Sequence, residues 1–177
     1  MEIVNFFEKL EGSWFSQRTT HYVSTQTSQS GQSDLKMERV SAKDPEVTQL
    51  CAQLSADPQQ ALLGMRVTQD SQLTDKTKHQ LGTTFLVLLK PDQADSGQLL
   101  RQQANDFKAP VAGRYTLADD VLTIVTADPS LKLEERLWFA NPNLRMRTSL
   151  IETADGFSVA SFCSEIRRGV TSPPEKN

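Results

Sequence analysis

One segment decides how the rest of the chain is interpreted: LKLEERLWFANPNLRMRTSLI, residues 131–151. It predicts two β-strands joined by a tight Asn-Pro-Asn turn at 141–143, because proline removes a backbone donor and asparagine tolerates turn conformations. Charged residues stand among large apolar ones on both strands: Glu134, Glu135, Arg136, Arg145 and Arg147. The segment therefore predicts a hairpin that carries more charge than an ordinary core hairpin.

The length of the turn decides which of these side chains meet. Side chains alternate between the faces of a strand, so Arg145, Arg147 and Ser149 share one face. A three-residue loop predicts the cross-strand pairs Phe139–Arg145, Leu137–Arg147 and Glu135–Ser149. A four-residue loop would instead put Arg136 opposite Arg147 and move Glu135 to the other face. Like charges directly opposite each other are destabilising, which favours the three-residue register.

The shared face of this hairpin has two interpretations. If it points into a closed barrel, a carboxylate, two guanidiniums and a hydroxyl form a polar site for an anionic, mostly apolar ligand. If it points outward, it is an exposed charged face, which is the usual environment of charged strand residues. The pattern alone leaves both open.

Length and composition favour a single globular protein. The chain has 177 residues, 37% of them hydrophobic, and a net charge of −3. We expect one domain over 1–170 and a disordered C-terminal tail over 171–177. No basic cluster points to nucleic acid as a partner. No apolar run has the length of a membrane span and no signal sequence begins the chain, so we expect no membrane association and a cytoplasmic protein.

The cysteines and histidines do not have the spacing of a metal site. Cys51 and Cys163 form no CxxC pair, so we expect two buried free thiols and no disulfide. His21 and His79 have no partner at metal-ligand spacing. We therefore expect no metal site.

The N-terminal part predicts a short helix followed by a long strand. Apolar residues at helical spacing over 2–10 predict an amphipathic helix. The strand predicted over 13–26 places Trp14 and Arg18 on one face. His21 lies on the other face, and could join Arg18 only through a bulge or a twist.

The rest of the chain predicts an antiparallel barrel. A polar loop at 27–33 leads to a strand at 35–40, and Asp44-Pro45 begins a helix over 44–55. Further strands are predicted at 62–69, 83–90, 97–104, 114–118, 121–127 and, after the hairpin, 157–168. Such an order predicts a mainly β fold: a barrel of about eight to ten strands with an N-terminal helix, one inserted helix and room for one small ligand.

Two motifs resemble those of the S-type phycobiliprotein chromophore lyases of cyanobacteria and plastids. They are WFSQRTTHY at 14–22 and ERLWFANPNLRMRTS at 135–149, and the match in order and spacing spans most of the chain. The pair Gly12-x-Trp14 resembles the opening of lipocalins. The resemblance implies a lipocalin-like or fatty-acid-binding-protein-like barrel located in the cyanobacterial cytoplasm or the plastid stroma.

The activity implied by this resemblance is the attachment of an open-chain bilin, typically phycocyanobilin. The bilin is a transient substrate, and no permanently bound cofactor is implied. It would be joined by a thioether to a cysteine of a phycobiliprotein apo-subunit, as in phycocyanin or allophycocyanin. Which subunit and cysteine accept it, and whether a second lyase subunit is needed, are left open.

The resemblance also implies which residues act on the bilin. Glu135 is the implied catalytic residue, and the implied bilin-binding residues are Arg18, His21, Arg145, Arg147 and Ser149, with Trp14 nearby. Arginines suit the two propionates, and a carboxylate suits the pyrrole N–H groups. Such a carboxylate favours a protonated, electrophilic bilin that the acceptor's thiolate attacks. The chain has Met65, Gln69 and Leu73 in a region where relatives often carry tryptophan, which leaves the preferred bilin open.

A second hypothesis is a non-enzymatic carrier of a fatty acid or another small apolar acid. The same arginines would bind its carboxylate, but Glu135 beside the ligand would repel it. The sequence does not fix the oligomeric state. Outward apolar residues such as Trp138 in the three-residue register are compatible with a homodimer.

Overall fold

A computed structural model describes residues 1–72, 79–103 and 109–169 and shows a closed barrel of ten antiparallel strands. Each strand pairs with its neighbours in the chain, and β1 pairs with β10 to close the barrel. The strands are β1 Gly12–Tyr22, β2 Thr27–Val40, β3 Ala61–Gln72, β4 His79–Gln93, β5 Ser96–Gln103, β6 Val111–Ala118, β7 Val121–Ala127, β8 Leu131–Asn141, β9 Leu144–Thr153 and β10 Ser158–Arg167. The predicted antiparallel barrel is confirmed.

The β8–β9 hairpin has the register predicted for the shorter loop. The observed pairs include Phe139–Arg145, Leu137–Arg147 and Glu135–Ser149. The turn is tighter than predicted, because Asn141 already pairs with Leu144. An irregularity between Phe139 and Asn141 absorbs the extra residue, Ala140, and so keeps Glu135 on the face of Arg147.

Residues 27–33 form the first half of β2, so the predicted polar loop is wrong. The ladder with β1 starts at Tyr22–Thr27, after a turn over 23–26 that also ends β1 earlier than predicted. Small and polar residues such as Gly31 and Ser33 occupy the inward positions here. They give no apolar alternation, which is why the segment resembles a loop in sequence.

Helix α1, Ile3–Leu10, closes one end of the barrel. Its buried side chains join the interior core, and Phe6 packs edge-on against Phe139 with ring centroids 5.3 Å apart. Trp14 Nε1 donates to the Leu10 carbonyl at 2.9 Å. Arg167 Nη1 and Nη2 donate to the carbonyls of Glu11 and Lys9 at 2.6 and 2.7 Å. These bonds use carbonyls that a helix end would otherwise leave without partners.

Helix α2, Pro45–Gln53, packs on the outside of the barrel against β3, β4 and β5. The Asp44 side chain accepts from the Glu46 N–H at 2.9 Å, which confirms the predicted N-cap. A 3-10 turn, Pro58–Gln60, links the helix to β3. Cys51 is fully buried on the barrel-facing side of α2, and both it and Cys163 are free, as predicted.

Some predictions about the ends of the chain are not tested by this structure. The predicted tail, 171–177, lies outside the described residues, so the division at residue 170 stays a prediction. Within the described ranges, no helix combines the length and the apolar character needed to cross a membrane.

Candidate functional site

The barrel contains a cavity of about 340 Å³ that runs from α1 to the opposite rim. Phe7 and Leu10 of α1 line its closed end, and the exposed Gln80 lines its rim. Apolar side chains form much of the wall, among them Leu35, Val67, Leu86, Leu122, Ile124 and Leu137. The barrel is therefore hollow, with walls suited to an apolar ligand.

Five charged side chains inside the barrel form one connected network, which we call the charged cluster: Arg101, Glu135, Arg145, Arg147 and Glu165. Arg101 on β5 is ion-paired with Glu135 on β8. Glu135 Oε1 lies 3.5 Å from Arg147 Nη1 on β9. Arg147 Nη2 lies 3.3 Å from Glu165 Oε1 on β10, and Glu165 also pairs with Arg145. Hence the predicted Glu135, Arg145 and Arg147 do converge inside the barrel.

Burial makes this pairing necessary. Glu165 is 0% exposed, Arg145 2% and Arg101 4%. An isolated charge at such depth would be very costly, and partners and hydrogen bonds reduce that cost. Ser16 Oγ donates a further hydrogen bond to Glu165 Oε1 at 3.3 Å. Three guanidiniums share two carboxylates, so the charged cluster keeps one excess positive charge.

Both carboxylates of the charged cluster stay ionised at neutral pH. Burial alone would raise the pKa of Glu135, but the guanidiniums of Arg101 and Arg147 outweigh it and hold that pKa below its ordinary value. Burial opposes ionisation of Glu165 in the same way, and Arg147 and Arg145 again keep its pKa low. Burial also works against the charge on Arg147, but Glu165, Cys163 and Glu135 together outweigh it and raise the pKa of that guanidinium.

Arg18 and Ser149 complete the polar lining that the sequence predicted. Arg18 is half-buried on β1 and lines the cavity. Within the described ranges no carboxylate forms an ion pair with Arg18, so it offers a second positive charge to a ligand. Ser149 lines the cavity opposite Glu135 in the β8–β9 ladder.

Trp14 lies next to the charged cluster without lining the cavity. It is fully buried, and the guanidiniums of Arg145 and Arg167 lie 4.3 and 4.2 Å from its ring. Cation–π contacts of this kind stabilise a buried guanidinium. Trp14 therefore holds Arg145 in place from outside the cavity.

His21 is exposed and lies outside the barrel. The ladders of β1 with β2 and β10 run without a bulge from Trp14 to Tyr22. Strand alternation therefore keeps His21 on the face opposite Arg18. The structure does not bring His21 to the cavity, and the predicted contact with a ligand has no support in its position.

A second set of interior side chains, which we call the polar cluster, consists of Ser33 on β2 and of Gln69 and Ser71 on β3. Gln69 Nε2 donates to Ser33 Oγ at 3.1 Å and to Ser71 Oγ at 2.7 Å. The two hydroxyl oxygens are 3.0 Å apart. Met65, which the sequence also singled out here, is fully buried, and Leu73 lies outside the described residues.

Sequence reasoning missed Arg101 and Glu165 as members of the charged cluster. Arg101 directly follows Leu99 and Leu100, which suggests an ordinary core strand with an exposed end. The available signal was charge balance, because two inward arginines on β9 need more than one carboxylate. Glu165 was the inward carboxylate on the last strand that could supply it. As for metals, no group of three or more His, Cys, Asp or Glu side chains in the described ranges could hold an ion.

Comparison with known proteins finds relatives that match this chain over the whole barrel. A family model described as CpeS-like protein matches residues 2–168. The chain is 45% identical over 175 residues to the chromophore lyase CpcS/CpeS of Thermosynechococcus vestitus, covering 98% of this chain and 96% of that one. It is 34% identical over 166 residues to the phycocyanobilin lyase subunit CpcS of Picosynechococcus, covering 92% and 84%.

A solved structure supports the match in three dimensions. The S-type phycobiliprotein lyase CPES from Guillardia theta superposes with a TM-score of 0.86 at 31% identity, covering 97% of this chain and 95% of that one. Sequence and fold therefore agree over nearly the full length. The chain belongs to the CpeS-like family.

Proposed function

We propose that this protein is a bilin lyase that holds phycocyanobilin non-covalently in the barrel and attaches it to a cysteine of a phycobiliprotein subunit. The main support is the convergence of Glu135 with Arg145 and Arg147 in a hollow barrel. The names of the relatives carry the lyase activity, and one names phycocyanobilin. The interior of this barrel provides charges that complement the propionates and pyrrole N–H groups of a bilin.

The charge of the interior matches that of a bilin. A bilin has two propionates, and the charged cluster together with Arg18 has an excess of two positive charges. Guanidiniums bind carboxylates through paired hydrogen bonds, so Arg18 and Arg147 are the expected partners of the propionates. Arg145 is more deeply buried and pairs with Glu165, so we expect it to support Arg147.

Glu135 is the proposed catalytic residue. Its low pKa keeps it a carboxylate, and that carboxylate can accept hydrogen bonds from pyrrole N–H groups. This contact favours the protonated bilin, whose conjugated system withdraws electrons from the ethylidene carbon of the first ring. The acceptor's thiolate then adds its sulfur to that carbon. The π electrons of the double bond move into the ring system, and a proton returns to the adjacent ring carbon.

The lyase contributes position and charge, and the reacting thiol comes from the acceptor. Binding one conformer of a flexible tetrapyrrole removes much of the entropic barrier to addition. The proposed partners are the apo-subunits of phycocyanin or allophycocyanin, and the reaction belongs in the cytoplasm or the plastid stroma. A homodimer, with which Trp138 is compatible, stays an open hypothesis, and the outer face of β9 and β10 exposes Leu150, Phe162 and Ile166.

One experiment tests the proposal. The purified protein is mixed with phycocyanobilin and single apo-subunits, and covalent attachment is scored by absorption and by bilin fluorescence on a denaturing gel. We expect a bound-bilin spectrum with the lyase alone and a coloured subunit only when lyase and acceptor are both present. Absence of any spectral change with phycocyanobilin, together with tight binding of a fatty acid, would favour the carrier hypothesis instead.

A further inference from the structure

The polar cluster offers the cavity hydrogen-bonding groups that the described part of the chain does not use. Both amide hydrogens of Gln69 are donated to the serine oxygens. Ser33 and Ser71 share one hydroxyl hydrogen between them. One hydroxyl hydrogen and the Gln69 carbonyl are left over, and no described residue bonds to that carbonyl. When Ser33 donates to Ser71, the spare hydrogen belongs to Ser71, which lines the cavity, and the cluster presents one donor and one acceptor side by side.

These groups are placed where a ligand must meet them. Gln69 and Ser71 line the cavity, and Ser33 and Ser71 are only 6% and 7% exposed. A ligand that displaces water from them has to replace the lost hydrogen bonds, because leaving buried polar groups without partners is costly. A purely apolar ligand surface would therefore bind poorly at this point.

The polar cluster also lies across the barrel from Glu135. In the closed order of ten strands, β3 is five strands from β8 in either direction. A ligand whose middle is held by Glu135 and whose acid groups are held by the arginines must extend toward this opposite wall. The part of the ligand that arrives there meets Gln69, Ser33 and Ser71.

We propose that the polar cluster binds a terminal lactam ring of the bilin. A lactam carries an N–H and a C=O on adjacent atoms, which is the complement of one acceptor beside one donor. Its N–H donates to the Gln69 carbonyl, and its C=O accepts the spare serine hydroxyl hydrogen. This inference rests on the proposed function and adds to it the group that orients the tetrapyrrole and distinguishes it from other apolar acids.

The test compares the affinity for phycocyanobilin of the wild-type protein with that of two variants and a matched control. Gln69→Leu removes both the acceptor and the hydrogen bonds that order the serines, while nearly preserving side-chain volume. Ser71→Ala is a smaller change that removes one hydroxyl. Gln32→Leu makes the same change as the first variant at an exposed position next to Ser33. Dissociation constants are measured by absorption titration, after circular dichroism has shown that each variant is folded.

We expect Gln69→Leu to weaken phycocyanobilin binding about tenfold, Ser71→Ala about fivefold, and Gln32→Leu not at all. The apolar anion 1-anilinonaphthalene-8-sulfonate has no lactam, so its affinity should be unchanged or higher in Gln69→Leu. Unchanged or tighter phycocyanobilin binding in both variants would overturn the inference. If this wall made only apolar contacts with the ligand, leucine at position 69 would raise the affinity. An equal loss for both ligands would overturn the inference as well. Failure of the wild-type protein to bind phycocyanobilin would count against the proposed function itself.

Discussion

The charged cluster and the polar cluster both lie at the cavity, but they differ in charge and in how far their hydrogen-bonding groups are already paired. The charged cluster is a chain of ion pairs from Arg101 to Arg145, in which each carboxylate already has guanidinium partners. The polar cluster is neutral and keeps hydrogen-bonding groups in reserve. Removing a partner from the first exposes a buried charge, whereas removing one from the second exposes a dipole. The two walls should therefore differ in how strongly the fold and the ligand depend on them.

The largest difference should appear when Glu165 is removed. Glu165→Ala leaves the buried Arg145 and the half-buried Arg147 with one carboxylate fewer, which should lower the free energy of unfolding by about 3–5 kcal/mol. Ser33→Ala in the polar cluster should lower it by only about 1 kcal/mol. Urea unfolding followed by tryptophan fluorescence measures both. Equal losses in the two variants would show that the walls do not differ in this respect.

Loss of the Glu135 charge should damage the chemistry more than the fold. Glu135→Gln keeps the shape of the side chain but cannot stabilise a protonated bilin, so we expect transfer to fall about 100-fold and the bound bilin to absorb at shorter wavelength. The control is Glu134→Gln, the same change one residue earlier on the opposite face of β8. Normal transfer together with an unchanged spectrum in Glu135→Gln would remove this residue from the mechanism.

Arg147 should contribute more to ligand affinity than any group of the polar cluster. Arg147→Ala should weaken phycocyanobilin binding by about 1.5–3 kcal/mol, because a charge-assisted hydrogen bond shielded from water is lost. Arg136→Ala removes an exposed arginine from β8 and should leave the affinity unchanged. Titration of the bilin absorption gives both values. Wild-type affinity in Arg147→Ala would contradict its role as an anchor for a propionate.

The two clusters should also respond differently to acid. The pKa values of Glu135 and Glu165 lie below the ordinary value of 4.5. Their ion pairs therefore contribute fully above pH 4.5, and this contribution is lost as the pH falls through the lowered values. The free energy of unfolding should therefore show no contribution from these two groups to its pH dependence between pH 7 and 5 and should fall below pH 4.5, and the polar cluster adds no titrating group. Urea unfolding at a series of pH values measures this, and a Glu165→Gln variant that loses as much stability between pH 5 and 3 as the wild-type protein would contradict the assignment.

The smallest effect is expected outside the barrel. Because His21 points away from the cavity, His21→Ala should leave phycocyanobilin affinity and transfer unchanged. Arg18→Ala, three residues earlier on the inward face, should weaken binding by about tenfold or more. Bilin titration and gel fluorescence compare the two. A loss in His21→Ala equal to that in Arg18→Ala would show that the resemblance locates His21 better than the strand register does.

The hairpin shows how far sequence reasoning could reach. The rule against like charges in opposition selected the register that brings Glu135, Arg147 and Ser149 to one face, and the structure has that register. The alternation of side chains between the two faces of a strand correctly separated His21 from Arg18. Both inferences need only the order of residues along one strand or along two strands joined by a short turn, and the sequence gives that order directly.

Contacts between distant strands were beyond this reasoning. Arg101 on β5 and Glu135 on β8 are brought together only by closure of the barrel. Glu165 is different, because it pairs with Arg145 across the neighbouring strands β9 and β10, and charge balance along that hairpin could have indicated it. The polar half of β2 resembles a loop in sequence, because inward positions that face a cavity need not be apolar. Sequence patterns report a packed core more readily than they report a hollow one.

Helix α1 has one more consequence. It seals its end of the barrel with Phe7 and Leu10 and is fastened there by Trp14 and Arg167. Because α1 covers that end of the cavity in the described residues, a bilin would enter and leave at the opposite rim, near Gln80. Under the proposed function the acceptor subunit has to bind at that same open end, so the bilin binds to the lyase first and the acceptor binds second. An acceptor subunit that binds to the empty lyase would block entry of the bilin, so a large excess of acceptor should slow chromophore attachment.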